Sequence, residues 1–141
     1  MLSEGESESM MRSFENAPPL IPHTIDGMYQ LTAKENQCIM CHFPEKTDVS
    51  KATPMPETHF TNFRPEIVEH DGIYEVNAEV NEVVAVSTGN KLNEAMFNCN
   101  QCHVPQAKVD LEVENLFQAE YRSGAGKTSS NLKETMTEGV Q

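Results

Sequence analysis

Two copies of one pentapeptide constrain this chain more than anything else in it: Cys38-Ile-Met-Cys41-His42 and Cys99-Asn-Gln-Cys102-His103. Cys-x-x-Cys-His is the attachment pattern of c-type haem. Two thiols form thioethers to the haem vinyl groups, and the adjacent histidine reaches the iron from one face. The two-residue spacer lets both sulfurs meet one porphyrin edge. The motifs use all 4 cysteines, leaving none for a structural disulfide.

Two other metal or redox readings compete. Paired Cys-x-x-Cys units could form a zinc ribbon with four thiolates around one ion. A single unit could be a redox dithiol. Neither accounts for a histidine directly after both pairs. Histidine is 5 of 141 residues, so chance would set it at both positions in roughly one such chain in 800. The distance between the pairs is also long for a ribbon. Two covalent haems are therefore expected.

Composition supports this reading. Hydrophobic residues make up 38% of the chain even with Met and Cys counted, and tryptophan is absent. That is thin for a self-sufficient core at this length. A haem hiding on the order of 500 Å² would add roughly 10 kcal/mol of burial before entropy. The haems are expected to serve as core as well as cofactor, and the apoprotein to be largely unfolded. The predicted fold is small and haem-organised, mostly irregular, with a few short helices and a short β-hairpin.

Charge narrows the partners. Ten Lys and Arg face 22 Asp and Glu, a formal net charge of −12. This excludes nucleic acid and anionic membrane surfaces as natural partners and favours a basic docking surface. No apolar run is long enough to cross a membrane as a helix. Met1-Leu2 leads straight into Ser3-Glu-Gly-Glu-Ser-Glu8, without the basic and apolar regions of an export signal. Covalent haem attachment normally takes place outside the bacterial cytoplasm. The chain is thus expected to be a mature periplasmic form whose signal has been removed.

The chain divides into an acidic flexible arm at 1–17, a di-haem domain at 18–121 and a small, polar, flexible tail at 122–141. Pro18, Pro19 and Pro22 favour an extended path. Thr32-Ala-Lys-Glu35 reads as a capping box starting a short helix into the first motif, which Pro44 limits. Residues 47–65, with Pro54, Pro56 and Pro65, should be irregular. Residues 73–86 are rich in β-branched side chains and read as a strand or hairpin. Asp71-Gly72 supplies a turn in front and Gly89-Asn90 one behind. Lys91 to Cys102 could form a second short helix, stopped by Pro105. Gly124-Ala-Gly126-Lys127-Thr128 superficially suggests a phosphate-binding loop, but Tyr121 stands where its first glycine belongs.

His42 and His103 supply one axial bond to each iron. A second Met or His on each would make an electron carrier, whereas an open position would permit ligand chemistry. His23, His59 and His70 remain, with 8 methionines in competition. His23 follows Pro22, and His59 sits in Pro54-Met-Pro-Glu-Thr-His59-Phe60. Braced segments hold a ligand with little ordering entropy left to lose. His70 lies in an acidic turn and reads as exposed. Context favours His23 and His59. The methionines, Met28, Met40 and Met96 among them, read as packing.

Pro18-Pro-Leu-Ile-Pro-His-Thr-Ile25, the Cys38–His42 motif, Ala52-Thr-Pro54, Thr58-His-Phe60 and Cys99-Asn-Gln-Cys-His-Val-Pro-Gln106 occur in this order. The set resembles the NapB family, the small di-haem cytochrome c subunits of periplasmic nitrate reductase. The resemblance covers roughly 18–118. It implies bis-histidine ligation: His23 and His42 on the haem held by Cys38 and Cys41, and His59 and His103 on the haem held by Cys99 and Cys102. It implies an electron carrier without a catalytic site of its own. Its partners would be a membrane-anchored multihaem cytochrome that oxidises quinol and the molybdenum-containing catalytic subunit that reduces nitrate to nitrite. The family is expected to be shorter between Phe60 and Cys99, and both tails are expected to lie outside the match. A stand-alone periplasmic shuttle cytochrome is the alternative. A di-haem peroxidase, which needs an open iron and usually a much longer chain, is the enzymatic one.

Overall fold

A computed structural model describes residues 8–28, 30–32, 34–79, 82, 84–107, 112–136 and 138. Regular structure is sparse. Helix α1 is Ile39–His42, α2 is Thr47–Ser50 and α3 is Leu132–Thr135. The strands are β1 Thr61–Asn62, β2 Glu66–His70, β3 Ile73–Asn77 and β4 Val86–Ser87. They form two antiparallel pairs, β1 with β4 and β2 with β3. Among the described residues five short 3-10 turns interrupt an otherwise irregular path.

The helix expected from the capping box does not start there. Thr32 Oγ1 accepts the Glu35 amide at 2.8 Å, and the Thr32 amide donates to the Glu35 carbonyl at 2.7 Å. That second bond closes a turn and spends the carbonyl a helix would need. Helix α1 begins instead at Ile39, with Asn36 Oδ1 accepting the Cys38 amide at 3.0 Å. It ends at Phe43, whose ψ of 133° is the extended value that a following proline imposes. The second motif forms 3-10 turns at Glu94–Met96 and Cys99–Gln101 in place of the expected continuous helix.

The hairpin expected from 73–86 is present, but its partner strand precedes it. β2 and β3 pair Glu66 with Asn77 through to His70 with Ile73. Asp71 and Gly72 join them with φ of 53° and 79°. Positive φ at both central positions is the type I′ turn, whose twist matches a hairpin. Beyond Asn77 the expected strand does not continue; 80, 81 and 83 lie outside the described residues, and β4 pairs elsewhere.

The core is small. Among the described residues the buried apolar side chains are Ala17, Ile25 and Phe60, and Thr58 and Thr61 are buried as well. Phe60 meets Phe43 edge-on, ring centres 5.3 Å apart. Phe60→Ala is expected to cost about 3 kcal/mol, checked by denaturant unfolding of the haem-loaded protein. Lys133→Ala should cost under about 1 kcal/mol, since its 2.5 Å ion pair with Glu57 is exposed.

The chain ends meet one another. Tyr121 Oη donates to the Arg12 carbonyl, and the Arg122 amide to Glu15 Oε2. Asn16 Oδ1 accepts from Ser130 Oγ and from the Asn131 amide at 2.8 and 3.0 Å. Helix α3 lies against the 3-10 turn Glu57–Phe60, where the Lys133–Glu57 pair forms.

Candidate haem site

In the first motif a single helical turn sets the geometry. The His42 amide donates to the Cys38 carbonyl at 3.0 Å. Positions three and four apart lie on one face of a turn, so Cys41 and His42 project beside Cys38. The second motif repeats this with one bond, the His103 amide to the Cys99 carbonyl at 2.8 Å. In each motif the first cysteine is half-buried and the second, Cys41 or Cys102, is exposed.

The motifs adjoin. Asn36 Nδ2 donates to the Phe97 carbonyl at 2.9 Å and lies 3.4 Å from Cys99 Sγ, while its Oδ1 holds the Cys38 amide. Cys38 and Cys99 lie close enough to couple, which holds Cys99 down at about 6 and pushes Cys38 up. Once thioethers form, neither sulfur titrates. What persists is proximity: Cys38 and Cys99 are neighbours, so the two attachment edges are neighbours too. The sequence reading did not single out Asn36. Its signal was local, an Asn placed to cap the turn that opens the first motif.

Each motif histidine faces a second histidine. The His23 and His42 ring planes are near-parallel, 18° apart, with centres 6.2 Å apart. His59 and His103 are 6.2 Å and 29° apart. Two metal–imidazole bonds of about 2 Å span about 4 Å between nitrogens, and each nitrogen lies about 1 Å from its ring centre. Both separations therefore suit one metal ion between the rings. His70 joins neither pair; it ends β2, exposed and opposite Ile73.

Backbone carbonyls orient three of the four rings. Nδ1 of His23 is 2.8 Å from the Thr24 carbonyl, that of His42 is 2.7 Å from Thr53, and that of His103 is 2.8 Å from Pro19. With Nδ1 donating, Nε2 is left as the ligating nitrogen. His59 differs, because its Nδ1 is buried without a hydrogen-bond partner among the described residues. Burial, then His103, holds the His59 imidazole below its usual pKa, with the Pro56 carbonyl acting the other way.

The proline segment connects the two sites. The Ile21 amide donates to the Val104 carbonyl and the Gln106 amide to the Ile21 carbonyl, both at 2.8 Å. Residues 19–21 thus lie along the second motif while His23 reaches the first. His59 is held from the other side. The Asn93 amide donates to the His59 carbonyl at 2.8 Å, Asn93 Nδ2 to the Thr61 carbonyl at 2.6 Å, and the Thr88 amide to the Phe60 carbonyl at 2.8 Å.

A family model described as nitrate reductase cytochrome c-type subunit (NapB) matches residues 2–119. The match starts well before residue 18 and runs across 61–98, so the first seventeen residues are not foreign to the family. The chain is 39% identical over 137 residues to the "periplasmic nitrate reductase, electron transfer subunit" of Wolinella succinogenes, covering 97% of this chain and 63% of that protein. Proteins of the same name from Paracoccus pantotrophus and Escherichia coli are 35% and 34% identical over 82% and 79% of this chain, and over 58% and 60% of their own lengths. The chain therefore spans about three fifths of the length of these curated relatives. No solved structure matches it. With both motifs inside the matched residues, the chain belongs to the NapB family of cytochrome c-type nitrate reductase subunits.

Proposed function

We propose that this chain is the electron-transfer subunit of a periplasmic nitrate reductase and carries two bis-histidine c-type haems. Cys38, Cys41, His42 and His23 hold one; Cys99, Cys102, His103 and His59 hold the other. The two ring pairs, each beside its Cys-x-x-Cys-His motif, carry this reading. The relatives' shared name supports the nitrate reductase assignment.

When bound, each haem supplies a one-electron couple, tuned by its axial ligands and their hydrogen bonds. The chain's own work is to position and shield. The Thr24, Thr53 and Pro19 carbonyls fix ring orientation and raise the basicity of their imidazoles. Phe43, Phe60 and Ile25 keep water from the interior. Asn36 keeps Cys38 beside Cys99, and short separation favours electron passage between the two groups. Two histidines per iron leave no open position for a substrate, so the chain relays electrons and does not itself reduce nitrate.

Electrons would arrive from a membrane-anchored multihaem cytochrome that oxidises quinol. They would leave to the molybdenum-containing catalytic subunit. Among the described residues no helix is long and apolar enough to cross a membrane. The test is reconstitution: the reduced, haem-loaded chain mixed with purified catalytic subunit should be reoxidised on adding nitrate, with nitrite formed. Reoxidation that ignores the catalytic subunit would favour a stand-alone shuttle instead.

A further inference from the structure

The ribbon β2–β3 is exposed on both faces. Strand residues directly opposite share a face, so Ile67, Tyr74 and Val76 line one side together with Glu69. Their exposures are 65%, 76% and 58%, and Ile73 on the other face is 62% exposed. No other strand or helix packs extensively on the ribbon among the described residues. A lone two-stranded hairpin is marginal in water, and apolar side chains clustered on one face mark a contact surface.

Charge says what kind of surface would cover it. Glu66, Glu69, Asp71, Glu75, Glu79 and Glu82 crowd this segment, and no Lys or Arg lies between Arg64 and Lys91. Two copies would repel, which removes self-association as the occupant, and an anionic lipid surface is removed for the same reason. The acids suit a protein face with an apolar shelf ringed by Lys or Arg.

Position says which haem site a partner would approach. Both ends of the ribbon are rooted at the His59 mount: β1 starts two residues after His59 and pairs with β4, Thr61 opposite Ser87 and Asn62 opposite Val86. The ribbon thus grows from the segment that carries His59, whose ring faces His103, and Val104 and Cys102 of that motif are exposed. We infer that the ribbon 66–77 is the docking element for the electron-accepting subunit, seating its basic rim so that the site at Cys99–His103 faces it. This rests on the electron-transfer reading above.

Two holoprotein variants test it. Ile67→Ser, Tyr74→Ser and Val76→Ser together remove the apolar face. Glu75→Lys with Glu79→Lys reverses charge without touching that face. Binding to the purified catalytic subunit is measured by surface immobilisation and stopped flow. The first variant is expected to raise Kd about 30-fold or more. The second should slow association about 10-fold at low salt, with the difference fading as salt rises. Absorption spectra of both should match wild type, showing that the haem sites are intact. Wild-type Kd and association rate in both variants would overturn the assignment. So would lost binding to the electron donor with binding to the catalytic subunit intact. If wild type itself fails to bind the catalytic subunit, the electron-transfer reading falls and the docking role falls with it.

Discussion

Replacing both Cys99 and Cys102 with alanine is expected to leave one covalent haem where wild type has two. Haem that survives denaturation and acid–organic extraction, counted by pyridine haemochrome and intact mass, is the measurement. The stability effect should also be large. Few apolar side chains are buried among the described residues, and each porphyrin offers roughly 10 kcal/mol of burial before entropy. The damage should centre on the second site, where the Glu57–Phe60 turn, Asn93 and the Pro19–Ile21 segment converge. Asn36, which bridges the motifs through Cys99, would lose one contact as well. A variant that keeps its full haem content, or wild type that holds zinc, would end the di-haem reading.

Removing either distal histidine should convert one iron from low to high spin and open it to carbon monoxide when reduced. His23→Ala should do so at the site of His42, and His59→Ala at that of His103. About half of the reduced haem in each variant should bind the gas, and the double variant should bind it at both irons. The two single variants differ in what they disturb. His23 is held through its own Thr24 carbonyl, so its loss leaves the Ile21–Val104 link in place. His59 sits in a buried turn next to Phe60, so its loss should also soften the small core. His70→Ala is the control. Its ring is exposed at the end of β2 and joins neither histidine pair, so both haem spectra should stay as in wild type. A high-spin signal in His70→Ala would overturn the ligand assignment.

Local chemistry was legible in the residues. Cys38, Cys41 and His42 need only one helical turn to line up, and Cys99, Cys102 and His103 need only a tight turn. Both are short-range consequences of spacing. Asp71-Gly72 announced a hairpin turn because few residue pairs accept positive φ at both central positions. The proline bracing of His23 and His59 was equally local. Glu66–His70 was missed as a strand because its own pattern is weak; its pairing is imposed by the turn that follows. The capping box at Thr32 misled because Thr32 and Glu35 bond each other through backbone as well as side chain, and the turn closes before a helix can propagate.

What only the tertiary structure decided is how distant segments converge. His23 stands closer in sequence to the first motif, yet the segment just before it lies on the second, through Pro19 with His103 and Ile21 with Val104. His59 reaches His103 because β4 and Asn93 fold back onto β1 and the turn before it. The meeting of residues 12–16 with 121–131 belongs to the same class. Residue type and spacing encode torsions and hydrogen bonds within a few positions. Contacts across many tens of residues depend on which arrangement of the whole chain satisfies the most buried groups at once, and no single stretch of sequence carries that choice.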